Sequence, residues 1–495
     1  MSQTSYVRKD MLPPQPAPIR ESGVVKWLRE NLFSSWLNGI LTVIGLAFAV
    51  WVLSIVLPWM YRGVWNASSL QECWAIIEER HGPGVHAACW AMIHERWHQF
   101  LFGFYPMDLY WRPVLAAGLL LSALSPILYL GSRKYNMRII GVSGLLTLLS
   151  LFGIRHFVAM ANPPTGAVAS DSPLVLLVTV LVMGGLFALA ALRPGKLLWF
   201  TILFPAIGFF LLWGGSVWRP VTALAGFVLF FFVWRLLRPA LGPVVSVGVG
   251  LVAAALWWLL IEPPVTDILN GMMPIGLQPV SSDQFGGFLL AFVIGVTAIA
   301  CALPVGILLA LGRRSDMPLV KMLSVGFIEF VRGVPLITML FTASLLLQYF
   351  LPPRTNFDLI LRVIILVTFF SAAYIAEVIR GGLAALPRGQ YEAADALGLD
   401  YWQAQRLIIM PQALKISIPG IVSSFIGLFK DTTLVALVGL ADPLQGITKI
   451  VRADINWKGI YWEPYIFVGA IFFIICFSMS RYSMYLERKL KTDHR

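Results

Sequence analysis

The sequence predicts an all-α membrane protein with about 12 transmembrane helices, on three observations. Hydrophobic residues make up 58% of the 495 and charged residues only 13%, where a soluble globular chain carries about 25% charged residues. Mean hydropathy is +0.78. Apolar runs of about 20 residues, enough to cross a hydrocarbon core as a helix, recur along most of the chain. Lysines and arginines gather in the short connections between those runs. The net charge of +12 therefore reads as the cytoplasmic loops of a membrane protein rather than as a nucleic-acid footprint.

Taken in order, the spans fall near 39–58, 113–131, 138–160, 174–192, 197–217, 221–236, 243–261, 285–311, 319–350, 360–384, 413–440 and 464–486. The sixth is short. The stretch before the first span is polar and basic, with a Pro-rich patch from Pro13 to Pro18 and no early apolar core of the signal type. It is expected to be a cytoplasmic tail, residues 1–38, with Arg8, Lys9, Arg20, Lys26 and Arg29. Alternating the spans from that side puts Arg133, Lys134 and Arg138, then Arg193 and Lys196, then Arg235 and Arg238, then Arg313 and Arg314, all in the cytoplasm. The basic C-terminus falls there too, with 488–495 as a tail. This agreement supports an even number of spans.

The expected division lies near residue 280. From 39 to 280 the spans hold Leu, Phe, Trp and Gly, around an outer loop at 59–112. From 281 to 487 they carry Glu329, Arg332, Glu377, Arg380, Lys430 and Asp431. A charge within or at the mouth of a span is costly in lipid, so it faces a cavity or a partner. Function is therefore sought in the second part, and the first is expected to be scaffold.

One cytoplasmic segment in that second part stands out: "GQYEAADALGLDYWQAQRLIIMPQA", Gly389 to Ala413. Pro387 and Gly389 break the preceding helix. Gln390 to Leu397 reads as a short helix that Gly398 ends, as glycine does just past a helix C-terminus. Asp400, with Gln403 three residues on, has the capping-box pattern for a second helix through Met410, with Pro411 after it. Ala393, Ala394, Ala396 and Gly398 remove side-chain bulk, so another protein can approach the backbone; Glu392 offers one charged contact. An ordinary amphipathic connector would share part of this pattern.

The spacing of Glu392-Ala393-Ala394, Gly398 and Ile408-x-Met410-Pro411 resembles the EAA loop of ABC-importer permeases, with Met410 where that family usually has Leu. "FIEFVRGVPL" (Phe327–Leu336) resembles the family's Arg-Gly-Thr-Pro segment with Val334 for Thr. "AYIAEVIRGGLAALPRGQYEAADALG" is similar to the run into the loop in polar-amino-acid permeases, and "FKDTTL" (Phe429–Leu434) to its Lys-Asp-Thr-Ser-Leu with Thr433 for Ser. The matching stretch covers about 285–486, and the long apolar N-terminal part resembles the extended permease subunit of general L-amino-acid importers. The resemblance implies a five-helix type I permease core at the C-terminus. It implies that Glu392, Ala393, Ala394, Gly398, Leu399 and Pro411 belong to the coupling loop. It also implies a cytoplasmic ABC ATPase dimer holding ATP and Mg, a second permease subunit or a copy of this one, a periplasmic amino-acid-binding protein, and a bacterial inner-membrane location with both termini cytoplasmic.

Candidate pathway residues are Asp431, Thr432 and Thr433, with Glu329, Arg332, Glu377 and Tyr374. A zwitterionic amino acid needs an acceptor for its ammonium and donors for its carboxylate, which Asp431 and the threonines could supply. Glu329 with Arg332, and Glu377 with Arg380, are i,i+3 pairs that could equally be structural clamps. In the outer loop, Cys73 and Cys89 could form a disulfide or remain free thiols; the periplasm permits the bridge. "HERWH", His94 to His98, matches H-E-x-x-H, in which His94 and His98 would bind zinc and Glu95 act as base. The pattern arises by chance often; His81 and His86 are nearby as a third ligand, but no metzincin extension or second acidic motif follows, so no metal site is assigned. An amphipathic surface helix accounts for it better. No G-x-x-x-x-G-K-[ST] loop occurs, so ATP hydrolysis belongs to another subunit and no catalytic residue is assigned. Two other readings remain: an ion-driven secondary transporter, disfavoured because the polar residues crowd into one end of the chain, and a membrane metalloprotease using His94, Glu95 and His98.

Overall fold

The structure, a computed structural model, describes residues 23–129, 132–161, 172–350 and 358–490. The Pro-rich patch, Arg8, Lys9, Arg20 and the last five residues lie outside that set. Among the described residues, 11 helices are long and apolar enough to cross a membrane, or 12 if one bent pair counts as a span. The chain divides into two compact units, residues 1–95 and 96–495.

The first unit holds α1 (Gly23–Asn31), α2 (Trp36–Tyr61), α3 (Leu70–His81) and the start of α4 (Ala91–Phe102). Ser35 caps α2, its side chain accepting from the Asn38 N–H. No residue of α2 is buried, as expected of a helix whose solvent is lipid. Beyond it the loop is tied down locally. Cys73 and Cys89 form a disulfide with their Cα atoms 6.2 Å apart. Trp90 stacks on Trp65 at 5.7 Å and donates from Nε1 to the Met60 carbonyl at 3.0 Å. Gly63 makes room for that indole, since a Cβ there would lie 2.5 Å from the ring.

In the second unit, α5 (Trp111–Leu128) packs against α6 (Arg133–Ala161) and α8 (Leu197–Trp213), and α6 against α7 (Pro173–Leu192). Small and hydroxyl residues set these contacts, since lipid gives apolar helices no solvent-driven reason to associate. A Cβ at Gly118 would sit 2.1 Å from Thr147 Oγ1. Ser122 and Ser143 meet at 3.2 Å, and Thr201 donates to the Ala123 carbonyl at 2.7 Å. α9 (Trp218–Leu256) runs through the positions expected as two spans and breaks at Gly242, whose φ is +74°. Both halves remain long enough to cross, as 218–242 and 245–272. A π-helical turn, Trp257–Ile261, leads to α10 (Glu262–Met272), and Trp257 and Trp258 each donate back to α9 carbonyls at 2.9 Å. A two-residue ribbon pairs β1 (Gly215–Ser216) with β2 (Gly276–Leu277).

The remaining elements are α11 (Gly287–Arg313), α12 (Pro318–Gly333), α13 (Leu336–Phe350), α14 (Leu359–Ala384), α15 (Arg388–Ala396), α16 (Tyr401–Ala404), α17 (Met410–Asp431), α18 (Pro443–Ala453) and α19 (Trp462–Leu490). α14 is central, packing on α11, α12, α13 and α17, and α17 packs on α19. Glycines allow the close approaches: a Cβ at Gly306 would meet Ile375 at 2.8 Å, and one at Gly382 would meet the Ala413 carbonyl at 2.6 Å. A buried cluster of Ala302, Ala310, Ile328, Ile375, Ile379 and Ile409 fills the space between them.

The expected straight span at 319–350 is not straight. α12 and the following helix meet at 100°. The apolar pattern runs on, but Gly333 ends one helix and Pro335 opens the next. Val334 between them is extended, at φ −106° and ψ 131°, the conformation that a following proline favours.

Candidate functional site

The segment from Gly389 to Ala413 is built from local rules. α15 follows Pro387 and buries one residue, Ala394. Glu392, Ala393, Asp395, Ala396 and Leu397 are exposed, the last at 71%. Its end is a Schellman motif: the Leu399 N–H reaches the Ala394 carbonyl and the Gly398 N–H that of Asp395. Gly398 adopts φ +70° in open space, so glycine is favoured by the backbone conformation and not by crowding. Asp400 and Gln403 form both halves of a capping box, at 2.8 and 3.3 Å. One expectation changes: the second helix does not stop at Pro411. α16 passes through a π-helical turn, Gln405–Ile409, directly into α17, and Pro411 sits in the first turn of α17. The wider turn interrupts the regular i→i−4 pattern, and a first-turn proline lacks only an N–H that needs no helical partner.

A charge cluster lies beside the end of α14. Glu377, its side chain 15% exposed, is the hub. Arg313 Nη1 reaches Glu377 Oε1 at 2.7 Å and Glu329 Oε1 at 2.9 Å. Arg380 Nε reaches Glu377 Oε2 at 3.0 Å, and Arg332 lies 3.5 Å from the same oxygen. Arg332 also sits over the Tyr374 ring, 5.6 Å from its centroid. Of the two i,i+3 pairs read from the sequence, Glu377–Arg380 forms. Glu329 instead turns to Arg313 and Arg332 to Glu377. Sequence reasoning took Arg313 only as a loop charge; two adjacent arginines closing a span were the one signal for its role.

Asp431 is the last residue of α17 and is partly buried. Thr432 and Thr433 begin a 3₁₀ turn, Thr432–Val438. The threonine hydroxyls do not offer the expected donors. Thr432 donates to the Phe429 carbonyl at 2.7 Å and Thr433 to that of Lys430 at 2.9 Å. Asp431 makes no ion pair with Arg332 or Lys430 among the described residues; Arg332 is held by Glu377.

His98 is buried, with Nδ1 3.1 Å from the Tyr110 hydroxyl. Burial, aided by the charge of Arg96, lowers its pKa to about 4, so it is neutral at ordinary pH. His81, His86 and His94 are exposed. Among the described residues no group of three or more His, Cys, Asp or Glu gathers as a metal site would need. Arg96 pairs with Asp454, so this stretch of the motif serves packing and ion pairing.

Residues 302–492 match the model of the family described as binding-protein-dependent transport system inner membrane component. The chain is 60% identical over 495 residues to the glutamate/glutamine/aspartate/asparagine transport system permease protein BztC of Rhodobacter capsulatus, covering 100% of both. The chain belongs to the amino-acid ABC transporter permeases. It is also 35% identical over 482 residues to the inner membrane amino-acid ABC transporter permease protein YhdY of Escherichia coli K12, covering 97% of this chain and 96% of that one. The match to the glutamate/aspartate import permease protein GltK of Escherichia coli O6:H1 is 33% over 209 residues, 41% of this chain and 91% of that one. A permease of this family can thus be little longer than the part of this chain that matches it.

As an ABC permease the chain is a multi-pass transport subunit and not an enzyme, and the ATPase is a separate subunit. Both rival readings, the secondary transporter and the metalloprotease, are set aside on that ground. The family implies an ATPase and a substrate-binding protein as partners.

Proposed function

We propose that this permease imports acidic amino acids and their amides, with 281–487 as the translocation core and 39–280 as scaffold. The substrate class follows the relative named for glutamate, glutamine, aspartate and asparagine, which matches this chain over its whole length. The core is paired with a second permease subunit, homologous or identical, and receives substrate from a periplasmic binding protein. An ABC ATPase dimer carrying ATP and Mg docks from the cytoplasm on α15. Both termini lie in the cytoplasm, as the basic residues beside the spans require, and the membrane is the bacterial inner membrane.

The observation that carries the docking is α15 itself. It buries only Ala394, exposes Glu392 and a face of small residues, and is closed by Gly398, so a partner can approach its backbone. Leu399 and Pro411 shape the ends of the segment rather than its face. Driven from there, the core alternates between inward- and outward-facing states. Asp431 holds the ammonium of the amino acid on the pathway, with Glu329, Arg332, Tyr374 and Glu377 nearer the coupling loop in sequence and Thr432 and Thr433 fixing the turn that carries Asp431.

The test is co-purification followed by uptake in proteoliposomes. Wild-type permease should bring down the ATPase and a second permease subunit and take up glutamate and aspartate. Gly398→Trp should insert normally, lose the ATPase and transport poorly. Full uptake with Gly398→Trp would remove the docking, and uptake confined to cationic amino acids would remove the substrate class.

A further inference from the structure

Arg314, next to the hub's Arg313, faces the coupling segment. Its Nη1 donates to the Tyr391 hydroxyl at 2.9 Å and to the Leu383 carbonyl at 3.3 Å. Its guanidinium also lies over the Tyr391 ring, 5.4 Å from the centroid. Tyr391 is on α15, and Leu383 is in the last turn of α14. Arg313 is the last residue of α11 and Arg314 its C-terminal cap. One helix end therefore grips α15 through one arginine and the Glu377 hub through its neighbour.

α15 packs through Ala394 and Tyr391 beside a partly open pocket. Its volume is about 260 Å³, and it is lined by Arg314, Tyr391, Asp395, Tyr401, Gln405 and Ile409 among others. A helix beside such a pocket moves its neighbours in part through the polar groups that reach past it. The Arg314–Tyr391 contact is one of these. Another is Gln412 donating to Gln390 at 2.8 Å, which leads to α17.

We infer that Arg313 and Arg314 act as a paired positioning device that carries displacement of α15 to the Glu377 ion-pair hub, coupling the ATPase to rearrangement of the core. Glu377 is shared by three arginines, Arg313, Arg332 and Arg380. A shift of the α11 end that pulls Arg313 away leaves Glu377 to Arg332 and Arg380 and frees Glu329. Glu377 would then remain paired with two arginines in place of three, so the hub can loosen without stranding its carboxylate. Arg332 opens the sequence bend at α12–α13, so a change at the hub reaches the one broken span of the core.

This rests on the reading of α15 as the ATPase docking helix, and the test separates the two. The whole importer, with ATPase and binding protein, is reconstituted in proteoliposomes. ATPase co-purification, ATP hydrolysis and uptake are measured on each variant. Arg314→Gln should keep the ATPase bound and hydrolysing, while amino acid moved per ATP falls about tenfold, within the range of typical coupling between sites. Tyr391→Phe, which removes only the hydroxyl, should fall in the same direction and less far. Glu377→Gln should uncouple as well. Adding Arg314→Gln to it should then cost nothing further, because the path is already cut. If Glu377→Gln does not assemble, Arg313→Gln takes its place in the cycle. An unchanged ratio in Arg314→Gln, or two losses that multiply in the double variant, would overturn the inference. Loss of the bound ATPase in Arg314→Gln would overturn it too, by making Arg314 a support of the docking surface. Failure of the docking reading itself has a different signature, full uptake by Gly398→Trp.

Discussion

The helices of α5–α8 and those of α11–α19 differ in what their polar side chains reach. In the first set the buried polar groups are mostly hydroxyls closed on their own helix. Ser122 donates to the Gly118 carbonyl, Thr147 to that of Ser143 and Thr179 to that of Val175, at 2.7–2.9 Å. In the second set hydroxyls such as Thr432 also close on their own backbone, but partly exposed charges reach between helices as well, as Arg313 does to Glu329 and Glu377. A hydroxyl bonded to its own backbone moves with the helix and has nothing to exchange. A shared carboxylate can trade one arginine for another. The first arrangement suits a rigid body and the second a moving one.

The sharpest way to break that comparison is Asp431→Asn, which keeps the shape and removes the charge. Truncating a buried, charge-paired contact typically costs about 2–5 kcal/mol. Uptake at limiting substrate should therefore fall by more than about tenfold, while stimulation of the ATPase by loaded binding protein persists. Wild-type uptake would take Asp431 off the pathway.

Outside the core, changes should alter stability and leave transport per folded molecule alone. Cys73→Ser should lower stability by about 3 kcal/mol, the value for a loop of this length, measured as the shift in thermal unfolding with and without reductant. Gly118→Val should cost about 1–3 kcal/mol by forcing α5 off Thr147, again with specific uptake unchanged. If either variant altered the substrate affinity of the folded importer, the scaffold would not be passive. The same would follow if substrate protected cysteines placed along 174–261.

The smallest effect is a pH slope. The folded His98 has its pKa lowered to about 4, so the unfolded chain takes up the proton first as pH falls. Its contribution to stability is complete above about 6.5 and lost toward 4. Asp442 works the other way. It caps α18 with bonds from Leu444 and Gln445, yet burial raises its pKa to about 6. The folded state keeps that proton longer, so this contribution is present below about 4 and lost as pH rises through 6. Thermal unfolding between pH 4 and 6.5 should fall less steeply on the acid side in His98→Gln and more steeply in Asp442→Asn. Parallel profiles for the three proteins would rule the assignments out.

Local chemistry made much of this legible in advance. The capping box at Asp400 and Gln403 and the left-handed Gly398 were readable because each depends on residues within four positions. Span positions were readable because lipid imposes length and composition. The bend at Val334–Pro335 was hidden, since the apolar pattern continues across it to residue 350. Only the Gly-Val-Pro punctuation marked it. The Glu377 hub was half visible. Arg380 is three residues away on the same helix, but Arg313 is 64 positions distant and only the packing of α11 on α14 brings it near. The bonding of Thr432 and Thr433 was hidden for a related reason: a threonine's nearest acceptor is a carbonyl of its own helix, and sequence does not reveal whether the side chain turns back to it.

α2 carries one more consequence. At 26 residues and about 1.5 Å per residue it is roughly 39 Å long, against a hydrocarbon thickness of about 30 Å. No side chain of α2 is buried; it is tied to the loop that follows at its C-terminal end, where Trp59 meets the Trp90 ring and the Met60 carbonyl accepts from that indole. The helix must lean, or seat Trp36 and Tyr61 in the two headgroup layers. Its inclination is set by the thickness of the bilayer, so thicker membranes should stand it upright and thinner ones tip it over.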